Sequence, residues 1–170
     1  MLRILLPNAV CEEWGVKGAG TEAGPGHEDR GWAVGVGRSQ DWSSHEIEHE
    51  LSALYDCAHG AGLAVTMPAV FRYVLNHNVM RFAQVAVRVW GCQMDFEHPE
   101  VTALAGIDAL QQFLIALGMP SNFAELGARE EDIPKLVDVL CHGNGRTGTI
   151  GGFVPLNEQD CTNIYRMMVS

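Results

Sequence analysis

Three histidines fall within one short stretch of the chain, His45, His49 and His59, spread along His45-Glu46-Ile47-Glu48-His49-Glu50-Leu51-Ser52-Ala53-Leu54-Tyr55-Asp56-Cys57-Ala58-His59-Gly60. Neutral imidazole is the commonest protein ligand for a divalent metal and a ready proton carrier near neutral pH, so this density is where chemistry is expected. His45 and His49 are four residues apart, and on a helix both rings leave the same face about one turn from each other. His59 cannot join them on an unbroken helix. At about 1.5 Å per residue it would lie about 21 Å from His45, whereas metal–nitrogen bonds are about 2 Å. A shared site therefore requires the chain to turn between Tyr55 and His59, and Gly60 and Gly62 permit such a turn.

One local reading of the cluster is hydrolytic. His45-Glu46-x-x-His49 matches H-E-x-x-H, in which two helical histidines hold zinc and the intervening Glu46 serves as general base toward a metal-bound water. The longer zinc-protease pattern would place Gly at 52 and His at 55, where this chain has Ser52 and Tyr55. An acidic third ligand on the next helix is also missing, since residues 63–93 contain no Asp or Glu. A non-catalytic helical binding domain is a further alternative.

The elements that must position these side chains read as helices. Asp41 and Ser43 are N-cap types, and Ser43-Ser44-His45-Glu46 fits a capping box, so a helix is predicted over 42–56. The segment 63–75 is apolar nearly all round and reads as a buried central helix that Pro68 should kink or begin. Further helices are predicted over 79–89, with Phe82, Val85 and Val89 on one face, and over 101–117, with Leu104, Ile107, Leu110, Leu114 and Leu117 at three-to-four spacing. Gly118-Met119-Pro120 should end the latter. Another helix is expected over 135–142 after the acidic start Glu130-Glu131-Asp132-Ile133-Pro134. The glycine-rich 143–152 reads as a loop, and Asn157 as the cap of a final helix reaching about residue 168. The predicted class is all-α from residue 41 onward, a helical bundle, with no internal repeat. Residues 1–40 form a glycine-rich lead without sustained apolar period, expected to be irregular.

Composition bounds the function. The 170 residues are 47% hydrophobic and 19% charged, which suits one soluble globular domain. With 11 basic against 21 acidic residues and a net charge of −10, the chain lacks the basic clusters that counterion release rewards, so neither nucleic acid nor an anionic membrane is an expected partner. The apolar start Met1-Leu2-Arg3-Ile4-Leu5-Leu6 stops at Pro7-Asn8, shorter than a signal h-region, and the expected location is cytoplasmic. The five cysteines (11, 57, 92, 141 and 161) form no Cys-x-x-Cys pair and read as reduced thiols. His27, His77, His98 and His142 read as structural, and Glu46, Glu48 and Glu50 as solvated. Met67, Trp90, Phe113 and Met119 read as core.

Taken together, Asp41-Trp42-Ser43-Ser44-His45, His49-Glu50-Leu51-Ser52-Ala53-Leu54-Tyr55, Ala58-His59-Gly60-Ala61-Gly62-Leu63-Ala64-Val65 and Met67-Pro68-Ala69 resemble the iron-containing alcohol dehydrogenase family, and within it the NAD(P)H-dependent butanol dehydrogenase branch. The family pattern is a helical histidine, a second four residues later, and a third fourteen residues after the first and followed by glycine. His45, His49 and His59 match all three. The similarity extends more thinly through Phe113 to Pro120, Glu130-Glu131-Asp132-Ile133-Pro134 and Ile150-Gly151-Gly152-Phe153, covering roughly 33–170.

That resemblance implies a division of labour. An N-terminal α/β domain binds the nicotinamide, and a C-terminal helical domain, the part this chain matches, supplies metal ligands. His45 and His59 match the two ligands of the helical domain, and His49 matches the histidine beside the metal, a pocket or proton-relay residue. The metal is divalent, iron or zinc, and would polarise the carbonyl of a small aldehyde as hydride arrives from NAD(P)H, reversibly giving a primary alcohol. The family's other two ligands, an Asp and a His, sit some sixty residues ahead of the first helical histidine. This chain holds no dinucleotide-binding glycine motif. The resemblance thus implies a dehydrogenase C-terminal part that is inactive alone, with the N-terminal domain or a homo-oligomer partner completing the site.

Overall fold

The computed structural model of the chain describes residues 41–169. The expectation of an irregular lead over 1–40 lies outside the described residues. From Asp41 onward the domain is all-α: α1 (Ser43–Tyr55), α2 (His59–Val74), α3 (Val79–Trp90), α4 (Pro99–Ala116), α5 (Phe123–Leu126), α6 (Ile133–His142) and α7 (Glu158–Met167). Short 3₁₀ turns at Leu75–His77, Glu130–Asp132 and Gly143–Gly145 join them. The loop expected over 143–152 contains one of these turns and also β1 (Thr149–Ile150), which pairs antiparallel with β2 (Leu156–Asn157) through Thr149 opposite Asn157 and Ile150 opposite Leu156. Among the described residues no helix is long and apolar enough to cross a membrane.

The core forms where α1, α2, α6 and α7 meet. Ile47 and Leu51 of α1, Val70 of α2, Leu140 of α6, and Ile164 and Tyr165 of α7 are all essentially removed from solvent. α2 is buried on most of its circumference, as its uniform apolarity requires, and Pro68 sits inside it instead of at its start. α3 and α4 form a closely packed pair. Their seam differs from the leucine stripe expected on α4: Thr102, Ala103, Gly106 and Ile107 face inward, while Leu104 and Leu117 are 41% and 50% exposed. The reason is close approach. Gly106 lies where a Cβ would overlap Ala86 of α3, so small residues set the contact and turn Leu104 and Leu117 outward, while Ile107 and Leu110 of the expected stripe still pack inward.

The start of α1 also departs from expectation. Its N-cap is Trp42, without a side-chain capping bond, and the Ser43–Glu46 capping box does not form. Ser43 Oγ instead donates to Asp41 Oδ2 at 2.5 Å, while Asp41 Oδ1 accepts from the backbone N–H groups of Gly152 (2.8 Å) and Phe153 (3.3 Å). Glu46 accepts from Gly151 N–H at 3.3 Å. These polar groups fasten the 151–153 segment onto the first turn of α1, a long-range use that local capping rules do not foresee. At the other end of the chain α7 starts as predicted, with a complete capping box between Asn157 and Asp160.

Candidate metal centre

The turn that carries His59 back toward His45 is made by Asp56, not by glycine. Asp56 closes α1 in the left-handed region at φ 51°, with its N–H bonded to the Ser52 carbonyl, and Asp is one of the few side-chain-bearing residues that visits this region readily. Gly60 and Gly62, expected to make the turn, lie in the first turn of α2, which begins at His59. The antiparallel return brings three imidazoles together. The ring centroid of His59 is 5.4 Å from that of His45 and 5.3 Å from that of His49, and His45 and His49 are 6.4 Å apart.

The three rings sit in different surroundings. His45 is 6% exposed, and both its ring nitrogens are buried without a hydrogen-bond partner. The Trp42 indole packs edge-on against it at 5.3 Å. Burial, reinforced by the neighbouring His59 and His49 and opposed by Asp41, lowers the His45 pKa from 6.5 to about 4, so the ring is neutral at pH 7 with a lone pair available. His59 is half-buried and His49 exposed at the rim.

Beneath His59 lies a carboxylate read from sequence as solvated. Glu48 is fully buried, and its Oε2 is hydrogen-bonded to Nδ1 of His59 while Ser52 Oγ donates to Oε1. Ser52 Oγ also lies 3.2 Å from the Cys57 carbonyl, so the hydroxyl that meets Glu48 sits against the α1–α2 turn. Helical geometry explains the placement. At about 100° per residue, Glu48 and Ser52 lie on the flank of α1 next to the His45/His49 face, the flank on which α2 docks. Glu46 and Glu50 lie on the opposite flank and share Arg146, at 3.9 Å and 3.4 Å. Two carboxylates one helical turn apart repel each other slightly, and the shared guanidinium offsets this. The spacing Glu48 to Ser52, four residues apart beside a helical histidine, is the sequence signal that could have singled out this pair.

The donor set fits a divalent metal. Buried imidazole nitrogens without a partner are costly unless something occupies them, and neutral nitrogen donors suit iron or zinc. Among the described residues, Glu48, His49 and His59 also offer one ligand atom each within 4.8 Å of one another. The other described histidines serve packing or helix ends: His77 lies against Phe153 with ring centroids 4.7 Å apart, His98 precedes Pro99 at the start of α4, and His142 at the end of α6 meets Glu158 at 2.8 Å. His27 lies outside the described residues. Met67 packs on the core as expected, whereas Trp90 and Phe113 pair with each other at 5.7 Å outside the core cluster, and Met119 is likewise only partly buried outside it.

The described residues thus form an all-helical domain that gathers three imidazoles, one of them buried, at one end of its first helix pair. The sequence profile described as "Fe-containing alcohol dehydrogenase family, C-terminal" matches residues 32–169, and the chain belongs to that family. It is 32% identical over 134 residues to the NADH-dependent butanol dehydrogenase A of Clostridium acetobutylicum, covering 78% of this chain and 34% of that protein. Butanol dehydrogenase B of the same organism is 34% identical, with the same two coverages. Among solved structures, NADH-dependent butanol dehydrogenase A from Thermotoga maritima superposes with a TM-score of 0.73 at 34% identity, covering 82% of this chain and 35% of that one. The chain thus spans about a third of the length of the curated relatives it matches.

Proposed function

We propose that this chain is the metal-binding C-terminal part of an NAD(P)H-dependent alcohol dehydrogenase that interconverts a small aldehyde and its primary alcohol. His45 and His59 would hold a divalent metal, iron or zinc, and His49 would act beside it. The observation that carries this reading is His45: a buried, neutral imidazole with two unpartnered nitrogens, 5.4 Å from His59 between ring centroids. Family membership and the butanol dehydrogenase relatives support the reaction class.

When bound, the metal would supply Lewis-acid polarisation of the carbonyl, whose carbon accepts hydride from the nicotinamide while its oxygen takes up a proton. The residues of this chain provide the setting. His45, packed by Trp42, presents a nitrogen donor that cannot be diverted to a protein hydrogen bond. His49, exposed at the rim, would pass a proton between solvent and the substrate oxygen. The nicotinamide and further ligands come from a cofactor domain set against the histidine face. The hydrolase alternative is less well supported, because the Glu46 carboxylate is already engaged by Gly151 N–H and lies beside Arg146.

The reaction class is tested by a chimera in which residues 41–170 replace the matched third of the Clostridium enzyme. NADH-dependent reduction of butanal, abolished by His45→Ala and by His59→Ala, is expected. A folded, metal-loaded chimera without that activity would contradict the proposal and favour a non-catalytic binding domain, and casein hydrolysis abolished by Glu46→Gln would favour the hydrolase.

A further inference from the structure

We infer that Glu48 is a positioning residue: its buried carboxylate, held by Ser52, takes the Nδ1 hydrogen bond of His59 and so fixes the tautomer and ring orientation in which Nε2 carries the free lone pair. The inference rests on the metal-site reading above for its purpose, but on the described side chains for its geometry.

Four observations carry it. Glu48 has no exposed surface, and an ionised carboxylate is kept in such a position only when its oxygens are satisfied. Both are: Ser52 Oγ donates to Oε1 and His59 Nδ1 meets Oε2. A carboxylate only accepts, so the shared hydrogen belongs to Nδ1, and neutral His59 is then unprotonated at Nε2. The space around Glu48 is reserved for it, because a Cβ on Gly62 would come within 2.5 Å of Oε1 and 2.6 Å of Cγ. A carboxylate behind a ligating imidazole is a recurring device: it orients the ring and raises its basicity, and its loss typically weakens metal binding roughly 10–100-fold.

Glu48 also lies close enough to His49 and His59 to be considered a direct ligand. Its two oxygens are already bonded to Ser52 and His59, which favours the supporting role.

The test uses the full chain with Zn²⁺ as probe. Long-range ¹H–¹⁵N spectra of the metal-free protein report the His59 tautomer, and competition with a chromogenic chelator reports Zn²⁺ affinity. The unsubstituted chain is expected to show Nδ1–H at His59. Glu48→Met, which removes the acceptor, should give a mixture of tautomers and lose roughly 10–100-fold in Zn²⁺ affinity. Glu48→Gln, which keeps an acceptor oxygen, should retain the tautomer and most of the affinity. An Nε2–H tautomer in the unsubstituted chain overturns the inference whatever the variants do, which covers a Glu48→Met protein that fails to fold. Equal affinity losses in Glu48→Gln and Glu48→Met, with the tautomer unchanged, overturn it in favour of direct ligation. Should the unsubstituted chain show Nδ1–H yet bind no Zn²⁺, the metal-site reading fails while the Glu48–His59 relationship stands.

Discussion

Gly62 of α2 faces Glu48 of α1 so closely that a Cβ at position 62 would stand 2.5 Å from the carboxylate oxygen Oε1. The absent side chain is therefore what lets a buried carboxylate sit between the two helices that carry the histidines. Overpacking a tight contact typically costs about 1–3 kcal/mol. Gly62→Ala is accordingly expected to lower unfolding free energy by about that amount, although alanine is the better helix former by about 1 kcal/mol. Urea denaturation of both proteins measures it, and a stabilised Gly62→Ala would show that the helices can part without cost.

Tyr165 ties the last helix to the first. Its hydroxyl, fully buried, donates to the Ile47 carbonyl at 2.9 Å, midway between His45 and His49. Burial also pushes the phenol well above its ordinary pKa, so it stays protonated and remains a donor across the neutral and mildly alkaline range. Tyr165→Phe keeps the ring and removes the bond, and should cost about 1 kcal/mol of stability in thermal or urea unfolding. A loss of several kcal/mol would mean that the hydroxyl does more than this single bond.

The metal-free protein should lose stability on mild acidification through His45. Its folded pKa is depressed to about 4 from 6.5, chiefly by burial, so between these values the unfolded chain binds the proton that the folded one refuses. Stability from this group is complete above pH 6.5 and declines as pH falls toward 4, by a limit on the order of 3 kcal/mol. Urea midpoints of EDTA-treated protein from pH 7.5 to 4.5 check the slope. His45→Leu should flatten it, and an unchanged slope in that variant would assign the acid sensitivity elsewhere.

Thiol reactivity should divide by location. Burial raises the pKa of both Cys141 and Cys161, whose sulfurs lie 4.0 Å apart in the core, while Cys57 and Cys92 are only partly buried. Because the thiolate is the reactive form, iodoacetamide at neutral pH should label Cys57 and Cys92 well ahead of Cys141 and Cys161. Peptide mass mapping over a time course reads the order directly.

The histidine spacing made the site legible because it is a local geometric statement: four residues is one helical turn, and fourteen demands a return of the chain. Helix positions followed from the same logic, and the Asn157 cap and the Gly118-Met119-Pro120 stop are local chemistry that the fold keeps. What stayed hidden depends on partners distant in sequence. Glu48 is one of three similar glutamates along α1, and only the docking of α2 decides that it alone is fully buried. Asp41 and Ser43 carry capping chemistry, but the 151–153 segment recruits Asp41 from more than a hundred residues away. The leucines of α4 obey a helical period, yet Gly106 against Ala86 determines which face goes inward.

Zinc occupancy of the full chain and its three single alanine variants, read by X-ray absorption and elemental analysis, decides whether His45 and His59 hold the metal while His49 stands beside it. Imidazole nitrogens are expected at about 2.0 Å from zinc, with occupancy lost in His45→Ala and in His59→Ala and retained in His49→Ala. Zinc retained without His45 but lost without His49 would contradict that assignment, and would move the metal to Glu48, His49 and His59.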